Sequence, residues 1–142
     1  MGECDVVIEP LLRDRDTGLV ASYGDRNFFN VFNPGEARIR QRQGKVRYRN
    51  PGGESLLDMR ARVVKWLKRA KKKYSGKRVL VITHYPVMVC AVSHLEEDKF
   101  TDYERNETAY GPPNCAVTIY RGKKVGRKCG LRLHMLNKVF YD

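Results

Sequence analysis

The most regular apolar pattern in this chain lies in residues 55–76 and predicts an amphipathic helix. Its apolar side chains recur every three or four residues with cations opposite, which is the period of an α-helix with one buried side. Ser55, with Asp58 three residues later, is typical of a capping box, and Gly76 is typical of a helix end. The apolar positions are Leu56, Met59, Val63, Leu67, Ala70 and Tyr74.

A second apolar segment, residues 78–88, predicts a strand that leads into a helix. Residues 79–82 are apolar without alternation, as expected of a strand covered on both faces. Thr83 and His84 interrupt the run, and helical spacing resumes from Pro86 to about Leu95. The predicted strand and helix therefore meet at His84.

The rest of the chain contributes further strands and loops, and the alternation of helices and strands favours the α/β class. Residues 11–52 are rich in Gly, Asn, Pro and Arg and predict a long functional excursion with short helical pieces. Glu96–Asn106 is acidic and polar and predicts a loop. The remaining predicted strands are Cys4–Glu9, Ala116–Tyr120 and Leu131–Leu136, the last two joined by a Gly- and Lys-rich turn at 121–130.

Length and composition indicate one domain over residues 1–142, since 42% of the residues are hydrophobic and the mass is 16.4 kDa. The longest apolar stretch is far shorter than the ~20 residues that cross a bilayer. No basic and apolar leader opens the sequence, so we expect a cytoplasmic location and no membrane partner. The cysteines, histidines and carboxylates show no metal-ligand spacing, so we expect neither a metal nor another cofactor.

The charge is strongly basic, with 28 Lys and Arg residues against 16 Asp and Glu residues, a net +12. Such an excess attracts polyanions, among them nucleic acid and phosphorylated metabolites. The cations concentrate in residues 38–49, 65–78 and 121–132. The middle group is mostly the solvated face of the predicted helix, and a contribution to solubility is a sufficient explanation for its positive charge. Nucleic acid therefore stays open as a partner, although no RNA-binding signature is present.

His84 is the leading candidate for a functional residue. In open α/β sheets ligands bind beyond the carboxyl ends of strands, and the start of the following helix offers free N–H groups that suit an anion. A histidine at that point can donate to a phosphoryl oxygen or exchange a proton. The alternative is a histidine that only hydrogen-bonds a loop.

Three segments together resemble the histidine phosphatase superfamily, also called phosphoglycerate-mutase-like. Leu12–Gly18 matches the family's L-R-E-x-x-x-G segment, Pro51–Ser55 matches P-x-G-E-S at a helix start, and Val79–His84 matches V-x-x-T-H at a strand end. They occur in the family's order over roughly residues 5–120. The resemblance implies a three-layer fold with a mostly parallel sheet flanked by helices, lacking the family's first strand and helix.

The resemblance also implies a mechanism on phosphate esters. In this family a histidine attacks phosphorus to form a phosphohistidine, cations neutralise the phosphoryl group, and a carboxylic acid protonates the leaving oxygen. By motif, His84 is the second, phosphoryl-binding histidine, and Asp14 stands where the family has a glutamate that acts as the acid. Lys45 and Arg49 would face the distal anionic group of the substrate, and Tyr85 would narrow the pocket rim.

The family's Arg-His-Gly nucleophile segment has no match in this sequence. The strand that carries it would be central in a parallel sheet, and its loss would expose a sheet edge and apolar helix faces. We therefore expect another polypeptide or self-association to complete the sheet.

Three hypotheses follow from these observations. The first is a phosphatase-family protein that is incomplete or inactive alone. The second is a non-catalytic basic protein that engages RNA, a ribonucleoprotein or another acidic partner. The third is one subunit of a split enzyme.

Overall fold

A computed structural model describes residues 5–125 and 128–141 of the chain, which form six α-helices, two short 3₁₀ helices and one two-stranded sheet. The helices are α1 Leu19–Ser22, α2 Arg26–Phe32, α3 Pro34–Gln43, α4 Leu56–Lys73, α5 Tyr85–Leu95 and α6 Tyr103–Tyr110. The 3₁₀ helices are Pro10–Leu12 and Phe100–Asp102, and the strands are β1 Val117–Val125 and β2 Lys128–Lys138. Within the described ranges, no helix is long and apolar enough to span a membrane.

The hydrophobic core lies between α4, α5 and the segment that leads into α6, and it confirms both predicted helices. Helix α4 begins after Ser55, whose hydroxyl accepts from the Asp58 amide at 3.1 Å while Asp58 Oδ2 accepts from the Ser55 amide at 2.8 Å. This capping box is the predicted one. The buried cluster consists of Leu56, Met59, Val63, Leu67, Val87, Val89, Cys90, Phe100 and Tyr103.

The described sheet corrects the expected architecture, because its two strands are antiparallel. Both C-terminal strands are confirmed, and they extend further into the predicted turn than expected, with Val125 opposite Lys128. The prediction of a mostly parallel sheet is wrong for the described residues. Consecutive strands joined by a short turn form an antiparallel hairpin, whereas parallel pairing requires a long crossover.

The predicted strands in residues 4–9 and 78–83 also differ from the structure. Cys4 lies outside the described residues, and residues 5–9 and 78–83 form neither helix nor strand. Among the described residues, no backbone hydrogen bond joins residues 6–8 or 79–83 to another segment. Leu80 and Ile82 are 82% and 88% exposed, so the expectation of two covered faces is wrong. A strand requires a neighbour with which to exchange hydrogen bonds, and the described chain supplies none here.

The segment predicted as the loop Glu96–Asn106 contains a 3₁₀ helix and the start of α6 instead. Its sequence is polar, but Tyr103 and Asn106 are buried, and the Asn106 side chain donates to the Lys99 carbonyl at 3.1 Å. Tertiary packing thus stabilises a helix that the apolar pattern does not reveal. The short helices expected within residues 11–52 are present as α1, α2 and α3.

Candidate active site

The structure brings Asp14 and His84 together, and we call these two residues the acid–histidine pair. Asp14 Oδ2 lies 3.7 Å from His84 Nδ1, and each side chain is 55% exposed. His84 is the N-cap of α5, whose first turn contains Pro86 and directs backbone N–H groups beyond the helix start. The pair is therefore open to a ligand and can present an imidazole, a carboxyl group and a helix N-terminus to a phosphoryl group.

Partly buried hydrogen bonds hold the two loops of the pair in place. The Thr83 hydroxyl donates to the Leu12 carbonyl at 2.8 Å. Thr83 directly precedes His84, and Leu12 lies two residues before Asp14. The Arg62 guanidinium of α4 donates to the Leu11 carbonyl at 2.7 Å and to the Asp14 carbonyl at 3.0 Å. The carbonyl of Asp14 and those of two residues before it are thus held by side chains from α4 and from the loop before α5, independently of the Asp14 side chain.

Arg62 also forms a buried ion pair with Glu54, and the sequence analysis did not single out this arginine. Its Nη2 and Nε donate to the two Glu54 carboxylate oxygens at 2.6 and 3.1 Å, and both side chains are 9% exposed. Burial by itself raises the pKa of Glu54, but the hydrogen bonds from Arg62 and the Asp16 amide outweigh burial and lower it. Glu54 therefore organises the loop as an ionised group.

A close backbone approach joins the segment of Asp14 to the Pro51–Ser55 segment. The Leu19 amide donates to the Pro51 carbonyl at 2.8 Å, and the Glu54 amide donates to the Asp16 carbonyl at 2.9 Å. Gly18 has a positive φ of 55°, and a Cβ added there would lie 2.2 Å from the Pro51 oxygen. Only glycine fits this position. Because it has no Cβ, the backbones of the two motif segments can approach each other closely at Gly18.

The structure places the three predicted substrate-binding residues beside other partners. Lys45 Nζ lies 2.7 Å from Glu107 Oε2, and Arg49 Nη2 lies 2.8 Å from Asp58 Oδ1. Both cations are thus partly neutralised by carboxylates on helices. Their binding role stays a prediction.

Tyr85, the third of them, is 43% exposed and begins α5. Its hydroxyl lies so close to Gly111 that a Cβ on that glycine would approach it within 2.3 Å. The ring therefore packs toward the end of α6, and its place on the pocket rim stays a prediction. No group of three metal-ligating side chains lies together in residues 5–125 and 128–141.

Comparisons with known proteins match this chain to one protein family and to two solved structures. The family model described as histidine phosphatase superfamily (branch 1) matches residues 1–132. A mycobacterial glucosyl-3-phosphoglycerate phosphatase, solved in complex with inorganic phosphate, is similar with a TM-score of 0.65 and 19% identity over 92% of this chain. A structure described as mycobacterial hydrolase 1 is similar with a TM-score of 0.59 and 16% identity, also over 92%. This chain covers 63% and 64% of those two chains. No curated protein matches the chain.

Proposed function

This chain belongs to the histidine phosphatase superfamily, and on that premise we propose that it binds the phosphoryl group of a phosphate ester at the acid–histidine pair. The 3.7 Å approach of Asp14 to His84 is the observation that carries the proposal. Charge-assisted hydrogen bonds from an imidazolium and from free N–H groups suit phosphoryl oxygens. The inorganic phosphate in a similar structure supports the same ligand class.

The proposed reaction uses a phosphohistidine. A histidine nitrogen attacks phosphorus, the N–P bond forms, and the ester P–O bond breaks with its electron pair on the leaving oxygen. Asp14, in its protonated form, donates a proton to that oxygen, and His84 stabilises the transferring phosphoryl group. Water then attacks phosphorus and gives a proton to the Asp14 carboxylate, the N–P bond breaks with its electron pair on the histidine nitrogen, and orthophosphate is released.

The attacking histidine of this scheme is not assigned to any residue of this chain. His94 lies near the end of α5, and the helix that begins after His84 separates the two histidines by roughly 15 Å. His134 is on β2 and exposed. We infer that another polypeptide segment supplies the nucleophile together with the strand that pairs with residues 79–82. The chain alone then binds phosphate without turning over esters.

Two assays on the purified chain test this function. We expect measurable binding of inorganic phosphate by ³¹P NMR titration, at least tenfold weaker binding in His84→Ala, and no hydrolysis of p-nitrophenyl phosphate. His134→Ala is the matched control, because it removes an exposed histidine elsewhere and should bind like the parent. Hydrolysis that disappears in His84→Ala would show that the chain contains its own nucleophile. Equal phosphate binding in both variants would refute the site.

The net charge of +12 favours one second candidate function, the binding of RNA or another acidic macromolecule. Helix α4 ends in Lys71, Lys72 and Lys73, which contribute three of these positive charges within one helical turn. The affinity of such binding would fall steeply with rising salt concentration and would be unchanged in His84→Ala. Fluorescence anisotropy with a labelled RNA at two salt concentrations, on the parent and on His84→Ala, separates the two candidates.

A further inference from the structure

The C-terminal hairpin carries many cations in a part of the sequence that contains no acidic residue. From Thr108 to Tyr141 there is no aspartate or glutamate, although the whole chain has 16 acidic residues. We call β1, β2 and the turn between them the basic hairpin. Its cations are Arg121, Lys123, Lys124, Arg127, Lys128, Arg132 and Lys138. Positive charge that is not balanced along the chain attracts polyanions.

Two of these arginines lie directly opposite each other across the sheet. Arg121 of β1 is the register partner of Arg132 of β2, and both side chains are exposed. Side chains at opposite positions share one face of the sheet, with Cβ atoms about 5 Å apart, and like charges there destabilise the strand pair. Among the described residues, neither arginine forms an ion pair with a carboxylate. A phosphate bound between the two guanidinium groups would remove this repulsion.

Exposed aromatic rings follow the last of these cations. Phe140 is 68% exposed and Tyr141 is 57% exposed. Lys138 Nζ lies 5.4 Å from the centroid of the Phe140 ring, and the Tyr141 hydroxyl donates to the Asn114 carbonyl at 2.9 Å. Cations that only protect a sheet edge from pairing need no aromatic rings beside them. Cations together with exposed rings suit single-stranded nucleic acid, whose phosphates contact the cations while its unpaired bases stack on the rings.

Hydrogen bonds attach the basic hairpin to the helical part of the fold. The Tyr120 hydroxyl donates to Glu96 Oε1 at 2.9 Å, at the end of α5. The Asn137 side chain donates to the Tyr110 carbonyl at 3.0 Å, at the end of α6. Tyr120 directly precedes Arg121 along β1. The paired arginines therefore stand on a strand segment whose position is fixed relative to the core.

We propose that the basic hairpin binds single-stranded nucleic acid, with Arg121 and Arg132 on backbone phosphates and Phe140 and Tyr141 stacked on bases. The inference rests on the second candidate function, the binding of an acidic macromolecule, because it gives that function a surface and a ligand. It does not involve the acid–histidine pair.

Fluorescence anisotropy on the purified chain tests the two arginines, with labelled oligouridylate and oligothymidylate of about 16 nucleotides as probes. We expect Arg121→Gln/Arg132→Gln to weaken binding at least about tenfold. Its slope of log affinity against log salt should be shallower by about 1.4, since each phosphate contact on a single strand contributes about 0.7. The matched control is Arg38→Gln/Arg42→Gln, which removes two exposed arginines four residues apart on α3 and should weaken binding less than about threefold.

A second variant and a second probe test the stacking of bases. Phe140→Leu keeps an apolar side chain but removes the ring, so affinity should fall at least about fivefold with an unchanged salt slope. A duplex of the same length should bind more weakly than the single strands at equal salt, because its bases already stack on one another. Equal or tighter binding of the duplex would show that charge alone holds the ligand and would refute the stacking role.

The outcomes separate the basic hairpin from the second candidate function. Equal losses of affinity in the two double variants would overturn the assignment to the hairpin and leave the binding of nucleic acid intact. No binding by the parent would overturn both. Arginine-dependent binding to phosphatidylserine vesicles, without binding to either oligonucleotide, would identify a membrane as the ligand and overturn the proposal.

Thermal unfolding guards against variants that merely misfold. Without nucleic acid, Arg121→Gln/Arg132→Gln should melt at the same or a higher temperature than the parent, because it removes two like charges at opposite positions. With oligouridylate, its melting temperature should rise less than that of the parent. A lower melting temperature without nucleic acid would mark the two arginines as structural and refute their binding role.

Discussion

Glu54 and Arg62 form a two-point ion pair across the start of α4, with both side chains 9% exposed and with oxygen–nitrogen distances of 2.6 and 3.1 Å. The same guanidinium also donates to the carbonyls of Leu11 and Asp14. These hydrogen bonds connect the loop that carries Asp14 to helix α4. The helix, the loop and the acid of the proposed reaction are thus stabilised by one buried interaction.

Replacement of Arg62 by Gln should destabilise the fold strongly. It leaves the Glu54 carboxylate buried without its partner, and breaking a buried pair in this way costs about 3–5 kcal/mol. Arg13→Gln is the control, because Arg13 Nη2 is 3.7 Å from Glu54 and its side chain is 52% exposed. That change should cost about 0–1 kcal/mol. Urea unfolding of both variants measures the difference, and equal losses would show that burial of the pair is not decisive.

The lowered pKa of Glu54 predicts a specific loss of stability in acid. Because the folded-state pKa lies below the ordinary 4.5, the ionised carboxylate stabilises the fold above that pH. This contribution disappears as the pH falls below 4.5 and through the folded-state value. The unfolding free energy of Glu54→Gln should therefore fall less steeply below pH 4.5 than that of the parent. Chemical unfolding at several pH values measures both slopes, and parallel curves would contradict the prediction.

Gly18→Ala should disturb both the fold and phosphate binding. The added methyl group would meet the Pro51 oxygen at 2.2 Å in a backbone with φ of 55°, so we expect a loss of about 3 kcal/mol or more. Gly44→Ala is the control that introduces backbone strain without a steric clash. Gly44 has φ of 79°, but no heavy atom lies within 4 Å of an added Cβ. It should cost about 1 kcal/mol and leave phosphate affinity unchanged. Thermal unfolding and phosphate titration of both variants provide the comparison.

The parts of this fold that the sequence predicts are those with local causes. Helix α4 follows from its apolar period and from Ser55 and Asp58 at its start, all within reach of one another along the chain. The roles of Asp14 and His84 rest on motif order alone, which reflects family resemblance and not local chemistry, and they stay predictions. The ion pair of Glu54 with Arg62 cannot be predicted from the sequence pattern. Arg62 is one of many cations on its helix, and its position does not distinguish it from a solvated residue.

The incorrect predictions concern structure that depends on distant neighbours. Residues 79–82 have the composition of a buried strand, but a strand exists only where another strand accepts its hydrogen bonds. Helix α6 was missed for the opposite reason, since its sequence is polar while Tyr103 and Asn106 are buried by contacts from elsewhere in the fold. The apolar pattern of a segment shows which of its side chains could be buried. It does not show whether another segment of the fold is present to cover them.

Exposure of residues 79–82 leads to a prediction about association. Leu80 and Ile82 are 82% and 88% exposed, and apolar residues on an unpaired extended segment invite pairing with another chain. Lysine at either position should reduce concentration-dependent self-association in light scattering and change the unfolding free energy by less than about 0.5 kcal/mol. Val89→Lys, at a position with 0% exposure, should instead unfold the chain. If Leu80→Lys destabilised the monomer as Val89→Lys does, the segment would already be packed, and a strand from another polypeptide would have nowhere to bind.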